Sequence, residues 1–186
     1  MEGVEGLPGF AFDAGRPLGQ RFAALGLGDY REAARHVRGL PYGRTSDRSD
    51  WRLVLEEGRG TCSTKHALLA ALARENGSPV SLVLGVYEMD GDNTPGVGEV
   101  LAKHGLRSVP EAHCYLAHDG GRVDLTREGS DGPASFMHEE EIELGQIGAY
   151  KVEAHREFVG RWSESCGLDP ARVWRAREEC IAALAE

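Results

Sequence analysis

Three residues carry the chemistry this chain of 186 residues is equipped for: Cys62, His113 and Asp124. Cys62 stands in "GRGTCSTKHALLAALAREN", residues 58 to 76, directly after a glycine-containing turn and directly before a run of good helix formers. A helix start leaves several backbone N–H groups unpaired and carries positive partial charge. A cysteine in that first turn has its thiolate stabilised, and its pKa can fall from roughly 8.5 to somewhere about 3.5 to 7.5. The same N–H groups can hold the oxyanion of a tetrahedral intermediate. Gly58 and Gly60 are expected to let a substrate backbone approach closely.

A nucleophile needs a base, and of the seven histidines His113 is the best placed, because it falls on a predicted strand that fixes its ring. "AHCYLAHDGGRVDLT", residues 112 to 126, reads as two short strands about an Asp-Gly-Gly turn. With a two- or four-residue turn centred on Asp119 and Gly120, His113 faces Thr126 and Tyr115 faces Asp124. His113 and Asp124 are then diagonal neighbours on one face, with backbones roughly 7 to 8 Å apart. A three-residue loop would put them on opposite faces. In the first register Asp124 accepts the second ring N–H of His113, fixes its tautomer and stabilises the imidazolium. Tyr115 shares that face and shields the ring, whereas Cys114 points the other way, as a core thiol.

These residues must be positioned by the elements around them. A helix is predicted from Thr61 to Asn76, stopped by Gly77 and Pro79, and it is followed by an apolar, β-branched strand over 79–89. An earlier helix runs from Tyr30 to Arg38, capped by Asp29 and stopped by Gly39 ahead of Pro41. Between them, 42–60 is a polar connection with one short apolar run, Trp51 to Leu55. Val97 to His104 reads as a short helix, 138–154 as a strand pair with 147–153 in the main sheet, and the tail from Asp169-Pro170 as a helix to the end. The first 17 residues, with four glycines and two prolines, read as an irregular arm. The expectation is one α+β domain over 1–186, its sheet built from 79–89, 112–118, 121–126 and 147–153.

At 41% hydrophobic content the chain can bury one core. A net charge of −9 argues against nucleic-acid partners, since that affinity comes from Lys and Arg neutralising phosphates. Seven arginines between Arg31 and Arg59 and the acidic "HEEEIE" at 138–143 read as solvated faces. No stretch approaches the roughly 20 apolar residues of a membrane helix, and "MEGVEGLPGF" lacks the features of a signal peptide. A cytoplasmic setting without membrane partners is expected. There the four cysteines, Cys62, Cys114, Cys166 and Cys180, stay reduced, and none is spaced as C-x-x-C.

The order Cys62, His113, Asp124, with "GTCSTKHALLAALARENG" around the first and "HCYLAHDGGRVDLT" around the others, resembles the transglutaminase-like superfamily of papain-like cysteine enzymes over roughly residues 42 to 126. The resemblance puts the nucleophile on Cys62, the base on His113 and the orienting carboxylate on Asp124, and the family's Asp-x-Thr ending on Asp124, Leu125 and Thr126. Tyr115 stands where tryptophan is commoner, and Cys114 where alanine is frequent. It implies a papain-like core, the cysteine helix packed on an antiparallel sheet bearing the histidine and the aspartate. It further implies acyl transfer from, or hydrolysis of, a peptide or protein amide, with water as acceptor and no cofactor or metal. The second oxyanion donor is open among Tyr42, Arg44 and Trp51, and nothing matches the calcium sites of crosslinking members. Two other readings use the same residues: an inactive binding module on this fold, or a zinc site in which Cys62 and His66, four apart on one helix face, combine with His113 and a carboxylate. Otherwise His66 reads as a wall of the cleft, and histidines 36, 104, 118, 138 and 155 as solvated.

Overall fold

The computed structural model describes residues 3–129 and 132–184. The chain forms two compact units: Met1–Leu84 with Cys114–Ala134 and Glu140–Gly148, and Gly85–His113 with Ser135–Glu139 and Ala149–Glu186. The elements are helices and an antiparallel sheet, the α+β class. Its strands β1 (Ser81–Asp90), β2 (Ser108–His118), β3 (Gly121–Val123) and β4 (His138–Glu141) stand in the order β3-β2-β1-β4.

The first unit is organised by α4, Cys62–Glu75, in which every residue from Cys62 to Ala73 is buried. A helix buried all round is a central element, and α1 (Pro17–Ala24), α2 (Tyr30–Gly39) and α3 (Leu53–Glu57) pack against it. Helix α2 starts as its sequence requires: the Asp29 carboxylate accepts the Glu32 N–H at 2.9 Å while Glu32 accepts the Asp29 N–H, a reciprocal cap. The Tyr30 hydroxyl then donates to the Leu69 carbonyl at 3.0 Å, tying α2 to α4. The segment before α1, expected to be irregular, holds a 3-10 turn at Val4–Gly6 and an antiparallel bridge from Ala11 to Asp29, and it is packed, with Leu7 buried, its carbonyl held by Arg31, and Phe10 stacked on Tyr30 at 4.7 Å.

Strands β2 and β3 form the expected hairpin. Asp119 and Gly120 both have positive φ, 48° and 77°, as a two-residue turn between twisted strands needs. The register pairs Leu116 with Val123, Ala117 with Arg122 and His118 with Gly121, as inferred from the turn. The strand itself stops at Val123, short of the expected 121–126, so Asp124 lies beyond the ladder.

In the second unit α5 (Gly98–Lys103), α6 (Ala149–Ser165) and α7 (Pro170–Ala183) enclose a core of Met89, Val97, Leu101, Val109, Val159, Val173 and Ala176. The expected strand over 147–153 is overturned: Leu144–Ile147 is a tight 3-10 turn and α6 runs on from Ala149. Alternation in "QIGAYKVEA" suggested extension, but the buried residues His155, Val159 and Ser163 recur every four positions, the spacing of one helix face. His155, read as solvated, is 3% exposed and donates from Nε2 to the Pro110 carbonyl at 2.9 Å. Glu111 on β2 and Arg177 on α7 form a buried bidentate pair at 2.5 and 2.7 Å. The Trp51–Leu55 run resolves into α3, which buries Val54 and ends at Gly58 with φ 63°. Asp169 caps α7 through the Ala171 N–H, with Pro170 at its first position; the tail's last two residues and the arm's first two lie outside the described residues. Among the described residues no helix is long and apolar enough to cross a membrane.

Candidate active site

Cys62 occupies the first helical position of α4, after Thr61 in extended conformation. The Thr61 N–H donates to Thr64 Oγ1 at 2.9 Å, which fixes the entry to the helix. Just upstream, Tyr42 and Gly60 form a parallel bridge, with the Gly43 N–H on the Gly60 carbonyl and the Gly60 N–H on the Pro41 carbonyl, each at 3.2 Å. A side chain at Gly60 would meet Lys65 Cγ at 2.9 Å, Thr64 Oγ1 at 3.0 Å and Val54 Cγ2 at 3.1 Å. The glycines expected to admit substrate therefore have internal duties: Gly60 lets α3, α4 and the 41–43 segment converge, and Gly58 supplies a left-handed helix stop. Cys62 is 7% exposed, with Sγ 3.8 Å from Ser63 Oγ.

Two side chains on the following turn reach the end of the hairpin. His66 is fully buried; its Nδ1 lies 2.7 Å from the Cys62 carbonyl and its Nε2 2.7 Å from the Leu125 backbone nitrogen. Because an amide N–H only donates, Nε2 is the unprotonated acceptor and Nδ1 carries the proton given to the Cys62 carbonyl. Lys65, also fully buried, sends Nζ to the carbonyls of Leu40 at 2.6 Å, Thr126 at 2.8 Å and Arg38 at 3.3 Å, matching its three donors with three acceptors. Burial pushes its ammonium down to about 8, with the charge of Arg127 acting the same way and that of Asp124 opposing.

The Asp124 carboxylate lies inside this cluster, 1% exposed. Its Oδ1 accepts the Thr126 N–H at 2.8 Å and lies 3.7 Å from His66 Nε2, beyond hydrogen-bond reach. Gly132, at φ 71°, passes so close that a Cβ there would overlap Oδ2. His66 was read from sequence as a cleft wall; it is instead a fully bonded core histidine. Both ring nitrogens are engaged by backbone, so the zinc reading loses one ligand, and among the described residues no group of three or more His, Cys, Asp or Glu is arranged to hold a metal ion. The signal that marks it is burial: "KHALLAALA" is apolar on every helical face, so a histidine within it is enclosed and must find internal partners.

His113 is partly buried on β2 in the second unit, its ring edge-on to Tyr87 at 6.3 Å; Tyr87 is in turn edge-on to Phe136 at 6.3 Å. Phe136 fills the space a side chain at Gly85 would take, so the glycine admits an aromatic to the sheet face. Cys114, the next residue, is fully buried. The structure thus joins Asp124 to the helix of Cys62 within the first unit and sets His113 among aromatic rings within the second.

Of the three candidate oxyanion donors, backbone pairing brings Tyr42 beside Gly60, two residues before Cys62. Trp51, stacked under Arg52 at 4.7 Å, lines a cavity of about 470 Å³ with Ala71 and Arg74. Ala71 is about 13 Å along α4 from Cys62 at 1.5 Å per residue, so this cavity lies along the later turns of the helix. Arg44 is exposed.

Residues 24–118 match the transglutaminase-like superfamily, a span that includes Cys62 and His113 and ends before Asp124. No curated protein and no solved structure gives a significant match. With just over half its length matched, and a cysteine opening a buried helix ahead of a strand with histidine, the chain belongs to the transglutaminase-like superfamily.

Proposed function

We propose that this protein is a cysteine-dependent acyl-transfer enzyme that hydrolyses peptide or protein amides with Cys62 as nucleophile, His113 as base and Asp124 as the residue orienting it. The observation that carries the reading is Cys62 at the first position of α4, where the positive end of the helix dipole favours thiolate. Membership of the superfamily supports it. So does the burial of Asp124, a carboxylate kept out of water in the segment just after the hairpin.

In the reaction His113 takes the thiol proton and Sγ attacks the amide carbonyl carbon. The tetrahedral oxyanion rests on N–H groups of the α4 start, with Tyr42 as second donor. The C–N bond breaks as His113 returns the proton to the leaving amine. Water, deprotonated by His113, then attacks the thioester and releases the acid, and the thiol is restored. No cofactor enters these steps. A reducing, cytoplasmic setting suits four cysteines that stand as thiols, and the acidic balance disfavours nucleic-acid partners.

The test is the pH profile of Cys62 alkylation together with turnover of model peptide amides. His113→Ala is expected to move the alkylation midpoint toward the free-thiol value of roughly 8.5 and to abolish turnover. Asp124→Asn is expected to act in the same direction less severely. A profile insensitive to His113→Ala removes His113 from the reaction.

A further inference from the structure

The segment that carries the orienting carboxylate is bonded to helix α4. Strand β3 is three residues long and its ladder with β2 runs from the His118–Gly121 pair to the Leu116–Val123 pair, so Asp124, Leu125 and Thr126 follow the strand. Two side chains of α4 bind this segment. His66 Nε2 takes the Leu125 N–H at 2.7 Å, and Lys65 Nζ donates to the Thr126 carbonyl at 2.8 Å. The same two side chains reach back to the other side of the site. His66 Nδ1 holds the Cys62 carbonyl at 2.7 Å, and Lys65 holds the Leu40 carbonyl at 2.6 Å, two residues before Tyr42.

We propose that Lys65 and His66 are positioning residues that form a two-point latch, fixing the backbone segment that carries Asp124 to the turn that carries the Cys62 nucleophile. The proposal rests on the Cys62–His113–Asp124 reading and adds to it the device that sets one member against another. Its chemistry is specific. His66 works as an imidazole protonated on Nδ1, since its other nitrogen must accept from an amide. Lys65 works with all three ammonium protons given to carbonyls. Buried groups so fully bonded hold one geometry, because release of any partner leaves a buried donor or acceptor unpaired. Carbon of similar size cannot replace them, and an amide side chain can replace His66 in part.

The experiment uses the full chain. In the native protein ¹⁵N shifts of His66 are expected to show Nε2 unprotonated and Nδ1 protonated, and the Leu125 amide is expected to be strongly protected from exchange. His66→Phe, which fills the volume without the bonds, is expected to slow Cys62 alkylation at pH 6 on the order of tenfold, the effect of about one pKa unit. His66→Gln, which can still donate to one carbonyl and accept one amide, is expected to recover part of that loss. In the Asp124→Asn background His66→Phe is expected to add nothing, since both act through one carboxylate. Additive effects, or a protonated Nε2 in the native protein, overturn the latch. If Asp124→Asn leaves alkylation unchanged while the ¹⁵N and exchange signatures stand, the latch is upheld and the catalytic role of Asp124 is what fails.

Discussion

At the scale of single residues, exposure and activation make opposite statements about the cysteines. Cys166 is exposed, Cys62 is 7% exposed, and Cys114 and Cys180 are fully buried; burial also pushes the Cys180 thiol up from its ordinary value. If access alone set reactivity, Cys166 would react first. Because Cys62 opens α4, it is expected to be labelled by iodoacetamide ahead of Cys166 at pH 6 to 7, with Cys114 and Cys180 silent, as read by peptide mass spectrometry. Labelling in order of exposure contradicts an activated thiol. The position of Cys62 was legible because a glycine turn followed by helix formers is a local pattern. The bonds of His66 were not legible, since its partner Leu125 is 59 residues away and only the folded chain brings an unpaired amide to its ring.

Elements show the same division between local and distant causes. The cap of α2 at Asp29, the body of α4 and the place of the hairpin could all be read from sequence, because each depends on residues a few positions apart; the hairpin register followed only on the choice of an even-numbered turn. Three features could not: the early end of β3, the helical state of 149–153, and the true work of Gly60. Each is decided by what packs against the segment. For Gly60 the decision can be measured. Its missing side chain lets the Lys65 stem, Thr64 and Val54 approach within 3.1 Å of where a Cβ would lie. Gly60→Ala is expected to destabilise the protein by about 1–3 kcal/mol, the usual cost of overpacking. It is also expected to slow Cys62 alkylation at pH 6, because Lys65 must shift. Gly58→Asn is the comparison, since nothing stands within 4 Å of a Cβ there and Asn tolerates left-handed backbone. It is expected to cost less and to spare the thiol. Equal losses from both substitutions are inconsistent with the packing role of Gly60.

For the molecule as a whole, buried titratable groups give stability a definite pH dependence. Burial alone would raise the Glu111 pKa, but the charge and hydrogen bonds of Arg177 prevail and hold it below 4.5, so its contribution is present above 4.5 and lost as pH falls through the folded value. Burial holds His155 below its ordinary 6.5; the unfolded chain takes up that proton first, and stability falls as pH drops below 6.5. Lys65 titrates at about 8 when folded and 10.5 when unfolded, so the unfolded chain holds more protons between those values and stability rises with pH from about 8. Above about 10 burial keeps the Tyr30 phenol protonated only in the folded state, and the curve turns down. Urea midpoints from pH 4 to 11 are expected to trace this profile. Arg177→Met, which leaves a buried carboxylate without its partner, is expected to cost about 3–5 kcal/mol near neutral pH and to flatten the acid limb. Lys65→Met is expected to flatten the rise above 8. An unchanged acid limb in Arg177→Met removes the Glu111 pair as its source.

The latch also has a consequence in time. Helix α4 is closed by bonds between near neighbours, which need no distant contact, although 14 residues hold a helix only marginally on their own. Lys65 and Thr126 are 61 residues apart, and closing so long a loop costs on the order of 4 kcal/mol in chain entropy before any contact repays it. Local turns of α4 can therefore precede the bonds that hold the Asp124 segment. On the Cys62–His113–Asp124 reading the carboxylate joins the site only when these long-range contacts close, so full thiol reactivity is expected to appear with the finished fold and not before.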